Sequence, residues 1–431
     1  MNHGTKSEKK LTSSKRKRRE KGIKSIFFIA AIFGVIVIFS ILFFLLKEAY
    51  PLPTDIWSFL SGTKWSPTEA LQFGTYPLII GTLLVTFGAM VLSIPLSIGG
   101  ALFVSEIATP RLRAIIKPAI ELLAGIPSVV YGFFGLVILT TWIKDFFGVP
   151  TGETWLAGSI ILGIMAIPTI TTVAEDAIKA VPREYKEGSL AMGATRWQTI
   201  SRVVVPSALS GITAAIILGI GRAVGETMAI LMVCGNAAII PTPLWNIFSP
   251  IRTLTSTLGI ETAEVPVGGP HYHALFGVAV LLLIITLLIN LGAVYLLGVL
   301  QKRHAATGKQ KKPFLSVATL GKIKKIFTSL ALLFLLTLLY IITGPVVTAV
   351  LVIIGVFFWY IRKKISHKNI QKIAFSTLGA SIIFIIILLG LILSYIISNG
   401  AGALNWEFLT EAPRNLGREG GISTALIGTL Y

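Results

Sequence analysis

Long apolar runs, each about as long as a helix needs to cross a hydrocarbon core, recur along this chain between short polar segments. A crossing helix takes roughly 20 apolar residues. Such runs lie near residues 26–46, 75–105, 119–143, 155–176, 207–235, 274–300, 326–343, 345–360 and 373–397. The pattern predicts an all-α, polytopic membrane protein with about nine spans and the start of a tenth. The second run is long enough to hold a break, and Pro95 with Gly99-Gly100 stand where one would fall. Pro127 and Pro168 are further break points, and Gly125, Pro127 and Gly132 interrupt the third run. The first run follows a basic head, Lys15 to Arg19 with Lys21 and Lys24. Its 21-residue core and missing small-residue cleavage site mark a retained anchor rather than a signal peptide.

Composition narrows the class. Of 431 residues, 54% are hydrophobic and 13% charged, and mean hydropathy is +0.81. A soluble chain carries about 25% charged residues, so a string of soluble domains is excluded, as is intrinsic disorder. The lone Cys234 excludes an internal disulfide framework and a multi-cysteine metal site. His271 and His273, the closest histidine pair, read as interfacial side chains rather than metal ligands.

The net charge of +19 would suggest nucleic acid in a soluble protein, but its placement gives another meaning. With the N-terminus inside, segments 1–25, 106–118, 177–206, 301–325 and 361–372 hold 31 of the 38 Lys and Arg residues. Six lie in the outer segments and one, Arg222, lies within a span. That asymmetry predicts a multi-pass protein of the cell membrane with a cytoplasmic N-terminus. The charge then meets anionic membrane lipid, and no nucleic acid is expected. Outer segment 236–273, with Arg252 and Gly268-Gly269, is the longest and a candidate docking surface.

Two polar features interrupt the apolar pattern. The stretch 182–211 is amphipathic and too charged for the bilayer; Pro182 can open a short helix, Gly193 can end it, and Pro206 separates it from the next span. Its simplest reading is a helix lying among the headgroups. Within the following span, Arg222 and Glu226 are four apart, which predicts one helix face and a mutual pair. An ionisable residue in a span costs about 2.5–3.5 kcal/mol on insertion scales and marks a functional site by default. The alternative is a pair that only locks helix packing. Functionally, a guanidinium offers a fixed fork of donors suited to oxyanions. The chain holds no GxxxxGK(S/T) phosphate loop, so it cannot hydrolyse ATP by that route.

The stretch with Glu187, Gly193 six residues on, and Val203 and Val205 before Pro206 resembles the EAA loop of ABC-importer permeases. Gly188-Ser189 replace the two alanines of that motif. KPAIELLAGIPSVVYGFFGL (117–136) and LGIGRAVGETMAI (218–230), with that loop between them, resemble the PstC-type permeases of the high-affinity phosphate importer over most of 70–300. The resemblance implies a type I ABC-importer permease fold that is not itself an enzyme and needs no cofactor. It assigns ATPase coupling to Glu187, Gly193 and Pro206, and the substrate path to Arg222 and Glu226. It implies three protein partners: a cytoplasmic ABC ATPase dimer, a second permease half of PstA type, and an extracytoplasmic phosphate-binding protein. The expected function is import of inorganic phosphate, with another oxyanion such as sulfate or molybdate as the alternative. Glu121 belongs to the first motif and reads as a helix-start carboxylate.

Such a unit would end near residue 303. The expected organisation is a basic cytoplasmic tail (1–25), a six-span unit (26–303) with its coupling loop at 182–206, and a basic linker (304–325). Three further spans (326–397) follow, then the truncated start of a PstA-like unit (398–431). GTYPLIIGTL (74–83) and GISTALIGTL (421–430) match at five of ten positions, as expected if a second copy of the unit begins there.

Overall fold

The computed structural model describes residues 4–67, 70–305, 366–414 and 419–430. The chain opens with the long helix α1 (Gly4–Ala49), a short α2 (Ile56–Ser61) and an antiparallel hairpin, β1 (Trp65–Ser66) and β2 (Gln72–Phe73). Then come α3 (Tyr76–Leu102), a π-turn at Phe103–Ile107, α4 (Pro110–Gly125), α5 (Ser128–Phe134), a second π-turn at Gly135–Leu139, and α6 (Thr140–Phe147). Next are α7 (Trp155–Lys179), α8 (Arg183–Ala191), α9 (Arg196–Thr199), a third π-turn at Ile200–Val204, and α10 (Val205–Ser207). They lead to α11 (Leu209–Gly225), α12 (Met228–Val233), α13 (Leu254–Glu261) and α14 (Pro270–Ala305). The last elements are α15 (His367–Gly400), α16 (Trp406–Thr410) and α17 (Ser423–Leu430). Among the described residues six helices are long and apolar enough to cross a membrane, and a bent pair adds a seventh candidate. The runs expected at 326–343 and 345–360 lie outside the described residues.

The described chain divides into two compact units, Met1–Tyr76 with Ile260–Ile285, and Pro77–Gly259 with Thr286–Tyr431. In the first, a polar knot is built on Glu261. Its carboxylate accepts from Trp65 Nε1 at 3.1 Å to each oxygen and lies 2.7 Å from His271 Nε2. His273 Nδ1 sits 2.8 Å from the Glu48 carbonyl. Both histidines therefore have protein partners, and no group of three metal-ligating side chains occurs among the described residues.

The second unit is organised around α7, whose Ile161, Met165, Ile170 and Ile178 are fully buried. Its most extensive neighbour is α11. Small residues allow close approach, as membrane helix packing requires: a Cβ on Gly219 would lie 2.5 Å from Ile170, and one on Gly158 would lie 2.3 Å from Cys234. Helix α15 seats Leu378, Ile382, Ile385, Leu389 and Ile392, a stripe repeating every three to four residues, into the same core.

Three of the expected break points resolve differently. Helix α3 runs unbroken through Pro95, which is exposed, and α7 runs through Pro168, which is buried among neighbouring helices; a proline inside a membrane helix need not break it. Gly99 and Gly100 are packing residues instead. A Cβ on Gly99 would come 2.6 Å from Ser381 Oγ, and one on Gly100 3.2 Å from Ile382 Cδ1, so α15 occupies that space. The break at Pro127 is real: α4 stops at Gly125, Ile126 and Pro127 are extended, and α5 restarts at Ser128. The span expected at 119–143 is thus cut between α4 and α5, and α4 starts nine residues early. Thr109 caps it, accepting from Leu112 N–H, and Pro110 occupies the first turn. That is a local signal which hydropathy does not weigh.

One construction is used twice. Asp55 caps α2 by accepting from Ser58 N–H at 3.0 Å, and that backbone donor holds its carboxyl below the ordinary carboxylate value. Thr75 N–H then donates to Phe59 O (2.8 Å) and Tyr76 N–H to Gly62 O (3.2 Å), which launches α3. Near the C-terminus Asn405 caps α16, Ile422 N–H donates to Phe408 O (2.8 Å), and Ser423 N–H to Glu411 O (3.1 Å), which launches α17. Both copies place a short antiparallel pairing before the launch, Trp65 opposite Phe73 in one and Arg414 opposite Glu419 in the other.

Tyr131 is fully buried and its hydroxyl donates to Leu123 O at 2.6 Å, bridging the α4–α5 break. Tyr131→Phe leaves that carbonyl without its partner and is expected to cost about 1–3 kcal/mol, read as a lowered unfolding midpoint in mild detergent.

Candidate functional site

The expected path residues lie in the span that bends. The axis of Arg196–Ser207 and that of α11 differ by 69°. Pro206 sits in α10, immediately before the bend at Ala208. Arg222 occupies the last turn of α11, roughly 20 Å along the helix from Leu209 at 1.5 Å per residue. It is exposed on the chain, and its Nη1 donates to Thr169 Oγ1 of α7 at 3.2 Å. A cation in the last helical turn also faces the negative end of the helix dipole.

Glu226 is not on that helix. Helix α11 ends at Gly225, and Glu226 follows in an extended conformation (φ −73°, ψ 128°). The expected mutual pair needs unbroken helix through both residues, and the helix stops between them; no ion pair joins them. Gly221 and Gly225 are poor helix formers placed where the helix gives out. Glu226 Oε1 instead lies 3.5 Å from Ala229 N–H, at the start of α12, and its carbonyl accepts from Thr255 Oγ1 at 2.9 Å. The span is therefore broken at Glu226-Thr227, and α13 packs on the break, where a Cβ on Gly259 would come 2.7 Å from Thr227 Cγ2. The guanidinium has five N–H donors, and its one hydrogen bond among the described residues leaves most of its fork turned to an open face. That arrangement suits transient capture of an oxyanion.

The second group, Glu187, Gly193 and Pro206, lies in the stretch from α8 to α10. Helix α8 has no buried residue and Glu187 is exposed. Tyr185 is 56% exposed and Met192 89%, so the stub presents apolar surface on both sides of Glu187. Gly193 has φ +82° and closes the helix: its N–H donates to Leu190 O (2.9 Å) and Ala194 N–H to Ser189 O (3.2 Å). That paired closure is the Schellman arrangement, which glycine enters without strain. Thr195 and Gln198 then form a reciprocal capping box that opens α9. The structure thus makes α8 a short stub with defined stops, on a different helix from Arg222.

Residues 94–305 match the family described as binding-protein-dependent transport system inner membrane component. The probable ABC transporter permease protein YqgH of Bacillus subtilis is 40% identical over 239 residues, covering 55% of this chain and 76% of that protein. The phosphate transport system permease protein PstC of Mesorhizobium japonicum is 36% identical over 274 residues, covering 59% and 82%. The chain belongs to this family of transport permeases. PstC of Haemophilus influenzae is likewise 36% identical over 251 residues, covering 54% of the permease and 78% of itself. A solved bacterial alginate ABC transporter is 16% identical, with a TM-score of 0.47 over 68% of this chain and 98% of its own.

Several residues of the permease escaped the sequence reading. Glu175 of α7 is 3% exposed and lies against two lysines, Lys117 Nζ of α4 at 3.7 Å from Oε2 and Lys179 Nζ beside Oε1. The Glu175–Lys179 spacing of four was its available signal. Thr169 carried none beyond following Pro168. The segment 236–273, expected on the outer side, is only partly a surface: Thr253 to Thr257 are buried, and Leu254 N–H donates to Thr82 Oγ1 at 3.0 Å. Exposed bulk within it is found at Ile239, Leu244, Trp245 and Val267. Glu121 is exposed on α4, well inside the helix rather than at its start.

Because Arg222 and Glu226 have separate partners, Arg222→Gln and Glu226→Gln are expected to add in unfolding free energy to within about 0.5 kcal/mol; a double-mutant cycle in detergent measures this. Gly193→Ala meets no steric block but must hold a left-handed φ, a strain of about 1–2 kcal/mol, and is expected to speed proteolysis at 192–194.

Proposed function

We propose that this permease is the membrane subunit of an ATP-driven importer of inorganic phosphate. The observation that carries the reading is the 36% identity to proteins named PstC phosphate permeases over about four-fifths of their length. The site chemistry agrees with it. Arg222 offers most of its donors to an exposed face in the middle of a span, and the Glu226 carboxylate stands at the adjacent break without neutralising it. A guanidinium held by one neutral hydroxyl keeps its full charge for an anion, and a carboxylate nearby can accept a hydrogen bond from a protonated one. Hydrogen phosphate carries such a proton and sulfate does not. Sulfate or molybdate as cargo is not favoured, since the named relatives are phosphate permeases.

The permease hydrolyses nothing in this reading. A cytoplasmic ATPase dimer takes the exposed stub α8 through Glu187 and its apolar flanks, and Gly193 and Pro206 keep the stub rigid and set its angle to α11. An extracytoplasmic binding protein delivers phosphate from the side opposite α8, and a second, PstA-like half completes the path. The basic N-terminal tail lies in the cytoplasm. The two halves rock about the path as the ATPases close and reopen.

The test is uptake of labelled phosphate at limiting concentration in cells expressing the permease with its genomic neighbours. Arg222→Gln is expected to lower uptake by about ten- to a hundredfold, the scale of one lost charge-assisted hydrogen bond, with normal membrane insertion. Excess sulfate should leave wild-type uptake unchanged. Undiminished uptake in the variant would make Arg222 a packing residue, and competition by sulfate would redirect the substrate.

A further inference from the structure

Helix α8 buries no residue, and among the described residues two side-chain hydrogen bonds tie it to other elements. One is between hydroxyls, Ser189 Oγ and Thr199 Oγ1 at 3.0 Å, and links α8 to α9 and so towards α11. The other leaves the local chain altogether. Lys186 Nζ donates to Glu106 Oε1 at 2.6 Å across 80 residues of sequence. The two side chains are 23% and 12% exposed, so the pair is largely shielded, which separates it from the freely solvated pairs that contribute little.

Glu106 lies in the π-turn that ends α3, and the turn is itself fastened. Arg113 of α4 donates Nε to Val104 O and Nη2 to Ser105 O, both at 2.8 Å. A pull on Glu106 therefore reaches both α3 and α4, and π-turns are local irregularities found at functional positions. Beside the pair is a cavity of about 160 Å³, walled by Ile107, Arg196, Ile200 and Phe375 of α15. The pair thus has room to shift without forcing side chains apart.

We propose that Lys186–Glu106 is a lateral strut that delivers movement of α8 to α3 and α4, while the covalent route through Gly193 and Pro206 delivers it to α11. This rests on reading 182–206 as the coupling loop. Neither residue touches the solute or the nucleotide; both act as positioning residues. Lys186 is adjacent to the exposed Glu187, so the residue facing the partner and the residue facing the membrane helices are neighbours on one short rod.

The experiment uses the full complex, purified with its ATPase, second half and binding protein in liposomes, and reads phosphate moved per ATP hydrolysed. Lys186→Gln and Glu106→Gln are each expected to co-purify with the ATPase and to lower that ratio about fivefold or more, the usual lower range for coupling between sites. The exchange Lys186→Glu with Glu106→Lys should restore at least half of the wild-type ratio. Unchanged ratios in both single variants, or no recovery in the exchanged pair while it still assembles, would overturn the strut. A second readout separates this from the substrate assignment. In a Cys234→Ala background, Ser105→Cys reports on the π-turn through its rate of thiol labelling with and without ATP. A nucleotide-dependent rate with Lys186 present and a flat rate in Lys186→Gln support the strut even if wild type moves no phosphate; the same nucleotide effect in both refutes it.

Discussion

Inside a bilayer a backbone amide or carbonyl has no water to turn to, so every departure from regular helix must be answered by protein. The fold of this permease follows from how that demand is met. Where α4 stops at Gly125, the Tyr131 hydroxyl takes up the Leu123 carbonyl. Where α11 stops at Gly225, the Thr255 hydroxyl takes up the carbonyl of Glu226. Where α3 loosens into a π-turn, Arg113 takes up two carbonyls. Each answer comes from another element, so each break also joins two parts of the structure. Irregular backbone and tertiary contact therefore occur at the same places.

Charge obeys the same economy of partners with opposite outcomes. Glu175 is buried and lies against two lysines, which makes it a structural acid near the C-terminal end of α7. Arg222 has one neutral hydroxyl and an open side. Depth in the chain does not distinguish them, since both stand in apolar helices. The number and sign of their neighbours does: Glu175 ties α4 to α7, whereas Arg222 keeps most of its donors uncommitted among the described residues.

Much of the fold was legible because hydropathy reports long buried or lipid-facing runs directly. The runs read at 155–176 and 373–397 fall inside Trp155–Lys179 and His367–Gly400 with only the ends extended. Hydropathy says little about where an amphipathic helix begins, and α4 began at Thr109-Pro110 on a capping signal. Nor does it tell a proline that breaks a helix from one that the helix runs through: Pro127 breaks, whereas Pro95 and Pro168 do not. The candidate pair was misjudged in geometry. Arg222 and Glu226 were found by type and spacing, yet spacing implies a shared face only if the helix continues. Thr169 and the Lys186–Glu106 contact join segments distant in sequence, and a single sequence carries no trace of such pairings.

The exposure of Arg222 also bears on how this protein is made. A newly inserted chain with no companion sets that guanidinium against lipid or draws water and headgroups towards it, at a cost of about 2.5–3.5 kcal/mol on insertion scales. Surrounding it with protein or a wet channel removes the cost. A chain with Arg222 uncovered is therefore a poorer membrane protein than one in which protein or water surrounds that side chain.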